Sequence, residues 1–132
     1  SSNFAIFSHA TALYLLGFSE RVPLNYDITV PYGYHASLQQ EKNVNLYYVS
    51  KEILNLGKIK IISPQGKEIF VYNVERCLCD MIRDKNNQDV EIVKYAFQTY
   101  VISKNRNFHK LMDYAKKLKI EEEINKYIEI LL

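Results

Sequence analysis

The stretch Tyr72-Asn73-Val74-Glu75-Arg76-Cys77-Leu78-Cys79-Asp80-Met81-Ile82-Arg83 divides the 132-residue chain into two unlike halves. Before it, apolar residues alternate in short runs; after it, they recur every three or four residues. Asn73 has the side chain of a helix N-cap, and the helix it opens runs to about Asp84, with Val74, Leu78, Met81 and Ile82 on one side. Within that helix Arg76 and Asp80 stand four residues apart, and Asp80 and Arg83 three. Two arrangements fit this spacing. One is a surface ladder of ion pairs, each worth about 0.2–0.5 kcal/mol. The other turns the charges inward, with Glu75 in the first turn, where the helix dipole favours an anion, and Arg76 clamped inside the domain.

Upstream, Ser8 has the character of an N-cap for a short helix from His9 to Leu16, with Ala12, Leu13, Leu15 and Leu16 apolar and Gly17 as its stop. After Arg21 the period changes to that of strands. Tyr26 to Val30 is the first, ended by Pro31 and a turn at Pro31-Tyr32-Gly33-Tyr34. A polar segment, Gln39 to Asn43, leads to a second strand, Asn45 to Val49. Lys51 to Leu56 forms one or two helical turns, stopped by Gly57. Ile59 to Ile62 and Glu68 to Tyr72 flank Ser63-Pro64-Gln65-Gly66 as a β-hairpin.

Downstream, Asp89 caps a helix bearing Val93, Ala96, Phe97 and Tyr100. Asn107 opens another with Phe108, Leu111, Met112 and Ala115, and Glu121 to Leu132 makes the last, with Ile124, Ile128 and Leu131 as its stripe. The spacing therefore predicts one α+β domain over 1–132. A sheet of about four strands and an N-terminal helix occupy 8–72, and a bundle of about four helices occupies 73–132.

Composition narrows the function. Hydrophobic residues make up 48%, charged residues 24%, and the net charge is only +2. The chain can bury a core, and no overall charge marks a nucleic-acid binder. Cys77 and Cys79 point to different sides of one helix, which suits free thiols of a cytoplasmic protein better than a disulfide. No apolar run approaches the roughly 18 residues of a membrane span, and Phe4 to Phe7 is too short for a signal peptide. The start at Ser1-Ser2-Asn3, without an initiator methionine, reads as a domain of a longer protein.

No motif calls for a catalytic residue, a metal or a cofactor. His9, His35 and His109 lie on separate elements with no ligand spacing between them. Ser8 and His9 adjoin, but a nucleophile meets its base through folding and not through adjacency. Asp27, Glu68 and Asp80 are the carboxylates that a metal-dependent nucleic-acid enzyme would have to bring together. The basic residues Lys104, Arg106, Lys110, Lys116, Lys117 and Lys119 are spaced to face phosphates or a partner from the later helices. A solvated face is the alternative, since Glu121, Glu122 and Glu123 follow. Tyrosines such as Tyr47, Tyr72, Tyr100 and Tyr114 fall at packing positions.

Several stretches taken in order resemble one family. They are Ser8-His9 through Gly17-Phe18-Ser19, Arg21-Val22-Pro23, Ile28-Thr29-Val30-Pro31-Tyr32-Gly33-Tyr34, Leu56-Gly57, Ser63-Pro64-Gln65-Gly66 and the segment Tyr72 to Arg83. The set, covering Phe7 to Leu132, is similar to the C-terminal domain of AbiEi-type abortive-infection antitoxins. The resemblance implies a non-catalytic bacterial antitoxin of a type IV toxin–antitoxin pair. Such a domain opposes a nucleotidyltransferase-like toxin without a stable complex being required, in phage defence. It also implies operator DNA as a partner, bound chiefly by an N-terminal winged helix-turn-helix that does not precede Ser8 here. On this resemblance Ser8, His9, Arg21, Glu75, Arg76, Asp80 and Arg83 are signature residues with structural roles. Two readings stand beside it: a metal-dependent nucleic-acid-processing enzyme, and a protein-interaction module, which an exposed apolar patch of several hundred Å² would favour.

Overall fold

The structure, a computed structural model, describes residues 5–34 and 42–131. His35, the polar segment up to residue 41, and Leu132 lie outside the described residues. The strands are β1 (Ile6–Phe7), β2 (Tyr26–Pro31), β3 (Val44–Val49), β4 (Lys58–Ile62) and β5 (Glu68–Tyr72). The α-helices are α1 (His9–Leu15), α2 (Lys51–Leu54), α3 (Val74–Arg83), α4 (Val90–Val101), α5 (Phe108–Lys117) and α6 (Glu121–Leu131), with a 3₁₀ turn at Lys85–Asn87 between α3 and α4.

The α+β organisation is the one expected, and the sheet gains a fifth strand. Its order is β3-β2-β1-β5-β4. The two-residue β1 sits at the centre, antiparallel to β2 through Ile6↔Thr29 and parallel to β5 through Phe7↔Val71. So short a run carries no period of its own, and it is a strand because both neighbours offer it hydrogen bonds. The predicted hairpin forms with Ile62 opposite Glu68 and Lys58 opposite Tyr72. Ser63 closes it by donating its amide to the Lys67 carbonyl at 2.7 Å. β2 and β3 are parallel, paired from Tyr26↔Val44 to Pro31↔Val49.

Capping decides several boundaries. Asn73, Asp89 and Asn107 each accept a first-turn amide, from Arg76, Glu91 and Lys110 respectively. Ser8 occupies the N-cap position of α1, with extended backbone and its carbonyl accepting the Ala12 amide, but its side chain makes no capping bond. His9 takes a left-handed φ of 52°, and the Ser8 hydroxyl is drawn instead to the His9 ring and to Thr29. At the other end of α1, Gly17 (φ +86°) and Phe18 return their amides to Tyr14 and Leu13, a Schellman closure.

The core draws on both halves, from Ile6, Leu13, Val49 and Tyr72 to Phe97, Leu111 and Ile124. At its centre α3 departs from the expected one-sided stripe. Every residue from Glu75 to Ile82 is buried, because α1, α4, α5 and α6 all pack around this helix. No helix among the described residues is long and apolar enough to cross a membrane.

Gly57 (φ +81°) is a point of close approach between the halves. A Cβ there would stand 2.8 Å from both Arg76 Cβ and Asn73 Oδ1. The Gly57 carbonyl also accepts the Asn73 amide at 2.8 Å. Gly57→Ala therefore combines a left-handed backbone penalty with overpacking, and should cost about 2–4 kcal/mol in urea unfolding.

Candidate functional site

The signature helix begins one residue after β5, so its first turn faces the loop between α2 and β4. This placement buries Arg76 completely (0% exposed). Its Nε donates to both carboxylate oxygens of Asp80 at 3.1 Å. Nη1 donates to the carbonyls of Ile53 and Leu56, at 2.6 and 2.7 Å. The guanidinium lies 4.0 Å from the centre of the Tyr72 ring, whose hydroxyl donates to the Leu54 carbonyl at 2.5 Å. Nη2 alone lacks a hydrogen-bond partner, and the aromatic face of Tyr72 supplies attraction in place of an acceptor. The surface ladder is thus excluded for Arg76 and Asp80, and the geometry is that of an internal clamp. Arg83, at the exposed end of the helix, reaches Asp80 Oδ1 at 3.4 Å.

Glu75 faces the opposite side. Its carboxylate accepts from the Tyr100 hydroxyl at 2.8 Å, and the same hydroxyl accepts the Asn107 amide at 2.8 Å, so Glu75 is tied through Tyr100 to the start of α5. Asn73 extends the tie by donating to the Tyr114 hydroxyl at 3.0 Å. Arg21 lies apart, at the surface, in an ion pair with Asp89, the cap of α4. That cap's amide bond from Glu91 holds the Asp89 carboxyl below its usual range.

Ser8 and His9 belong to a second, largely buried chain. Asp84 follows the last residue of α3, and its carboxylate accepts from His9 Nε2 at 2.7 Å. Nδ1 lies 2.7 Å from Ser8 Oγ, which accepts from the Thr29 hydroxyl at 2.8 Å. The ring stacks on Tyr47 with centroids 3.7 Å apart. A polar cavity of about 230 Å³ opens over His9, Thr29, Tyr47, Asp80, Arg83 and Asp84. Burial pushes the Tyr47 hydroxyl up to about 12, with Asp27 adding to it. Sequence reasoning gives the Ser8-His9 adjacency no weight and Asp84 no role. A signal is present in Asp84 standing one helical turn beyond Asp80.

Asp27, Glu68 and Asp80 take separate partners: Asn45 at 3.0 Å, Lys60 at 3.8 Å and Arg76. Among the described residues no group of three or more histidines, cysteines or acids is placed to hold a metal ion. Cys77 and Cys79 are free and buried. Burial pushes the Cys79 thiol up to about 12 and the Cys77 thiol well above its usual range.

Lys104, Arg106, Lys110, Lys116, Lys117 and Lys119 are all exposed. Lys104 and Arg106 lie in the turn before α5, and Lys119 lies after it at φ 62°. On α5, His109, Lys110, Lys116 and Lys117 share the outer face with Asp113, since Leu111 and Ala115 face inward. Asp113 accepts from Lys117 at 3.0 Å, so the basic strip is interrupted once. Compared with models of known protein families and with curated proteins, the chain matches none.

Two outcomes are expected. Arg76→Ala removes one member of a buried ion pair and should cost about 3–5 kcal/mol in thermal or urea unfolding, with Arg76→Met less harmful. For the groups raised to about 12, the neutral form is favoured in the fold, relative to ordinary values of 9.0 for Cys79 and 10.0 for Tyr47. Their contribution is complete below pH 9 and is lost as pH rises towards 12, so urea midpoints should fall across that window.

Proposed function

We propose that the chain is a non-catalytic antitoxin and regulatory domain of a bacterial phage-defence operon, acting in the cytoplasm against a nucleotidyltransferase-like toxin. The reading starts from the order and spacing of the motifs between Ser8 and Arg83. The observation that carries it furthest is the inward orientation of the signature charges. Glu75, Arg76 and Asp80 are buried and paired with one another or with Tyr100, Ile53 and Leu56, as expected of a motif that defines a fold and not a reaction centre. The Ser8–His9–Asp84 chain has the order of a nucleophile, base and acid, yet Ser8 is 0% exposed. Burial of the hydroxyl favours a structural task for it.

The outward-facing feature is the basic strip of α5 and its flanking turns. In this proposal it adds phosphate contacts to an operator complex whose sequence recognition lies in an N-terminal module. Lysines in the last turn of α5 also suit the negative end of the helix dipole, so Lys116 and Lys117 have a stabilising role regardless.

Co-expression of this domain with the toxin gene adjoining its own should restore growth; continued growth arrest with the domain abundant and folded would count against the antitoxin reading. In the full-length protein, replacing Lys110, Lys116 and Lys117 with Glu should weaken operator binding. It should also make the log–log salt slope shallower by roughly 2 to 3, in proportion to the number of phosphates no longer neutralised. An unchanged slope would remove the strip from the interface.

A further inference from the structure

At the end of α3 stand two opposite charges on consecutive residues, Arg83 and Asp84, which bond to other residues and not to each other. Asp84 gives one carboxylate oxygen to His9 Nε2. Arg83 makes one long bond, from Nη1 to Asp80 Oδ1 at 3.4 Å. Among the described residues, the second oxygen of Asp84 and the remaining nitrogens of the Arg83 guanidinium have no partner. Both side chains are partly open to solvent, 31% for Arg83 and 37% for Asp84, and both line the polar cavity of about 230 Å³.

Behind these two the cavity wall is polar and fixed. Thr29, His9 and Asp80 line it and are each at most 2% exposed. Asp80 is held by Arg76, and His9 by Ser8 and the face of the Tyr47 ring. The Tyr47 hydroxyl in turn accepts from Gln88 Nε2 at 2.8 Å. Polar groups withdrawn from bulk water around a cavity call for a polar occupant. Because bonds within the protein already set the wall, a ligand would meet a formed site.

Size and charge limit what that ligand can be. The volume admits one small molecule or a handful of waters. An anion alone would face the Asp84 carboxylate, and a cation alone would face the Arg83 guanidinium. A molecule carrying both charges a short distance apart answers both. Its carboxylate can take the guanidinium in a forked pair, and its ammonium can donate to the free oxygen of Asp84. We infer that this cavity binds a free α-amino acid with a small polar side chain, which the hydroxyls of Thr29 and Tyr47 suit. The site shares no residue with the basic strip of α5, and it stands whether or not the antitoxin reading holds.

Isothermal titration calorimetry of the folded chain with L-serine, L-serinamide and N-acetyl-L-serine tests this. The three share a side chain, but the second lacks the carboxylate and the third the ammonium. L-Serine should bind at a single site. Each derivative should bind at least about tenfold more weakly, because each forfeits one charge-assisted bond. Arg83→Gln should abolish the preference for L-serine over L-serinamide while the far-ultraviolet spectrum stays unchanged. Asp84→Asn, which keeps an oxygen for His9 Nε2, should abolish the preference over N-acetyl-L-serine. No saturable binding of L-serine would overturn the proposal. So would equal affinity for either derivative, or an Arg83→Gln variant that binds L-serine as tightly as the parent.

Discussion

A buried guanidinium sets the terms for the rest of this structure. Removing Arg76 from water costs several kcal/mol, and the fold offsets that only by delivering partners from three separate places. Asp80 comes from the next turn of the same helix, two carbonyls come from the α2 region, and an aromatic face comes from the end of β5. Each partner constrains a backbone segment. The Ile53 and Leu56 carbonyls fix how α2 ends, which in turn fixes Gly57 against Asn73. Hydrophobic packing supplies the bulk of the stability, and the bonds of Arg76 add direction to how the α2 region meets α3.

Glu75 and Asp84 act in the same way on the other sides of α3. One side of this helix is joined to α4 and α5 through Tyr100, and its end is joined to α1 and the sheet through His9. The outward surfaces are then free to differ in character. The outer face of α5 is basic, and a groove beside α1, lined by Phe7, Tyr14, Val22 and Ile69, is largely apolar, with Lys67 among its lining residues. Neither surface supplies a residue to the buried networks around Arg76 and His9.

How much was legible in the sequence followed from the range of the interactions involved. The caps at Asn73, Asp89 and Asn107 and the Ser63–Gly66 hairpin turn are local, and their residue types announced them. Ser8 took the expected N-cap position, but its hydroxyl makes no capping bond because the His9 ring and a distant group, Thr29, hold it. β1 was invisible because two residues cannot show a period, and the burial of α3 was half legible: the spacing allowed an inward Arg76, but charged residues normally mark a solvent face, so a surface ladder fitted as well. The basic residues could be picked out by composition. The apolar groove could not, since Phe7, Tyr14, Val22 and Ile69 come from separated elements that only the fold assembles.

The bond between His9 and Asp84 joins residues 75 positions apart. It also joins α1 to the end of α3, across the sequence that holds β2 to β5. Loop-closure entropy over such a span has to be met early, while the stabilising contacts arrive late, the condition that slows folding in proteins rich in non-local contacts. During synthesis α1 would wait, without this partner, until Asp84 had been made. Apolar side chains of α1 and β2 that end up in the core, such as Leu13 and Val30, would spend that interval in water, a stretch in which the domain offers sticky surface to its surroundings.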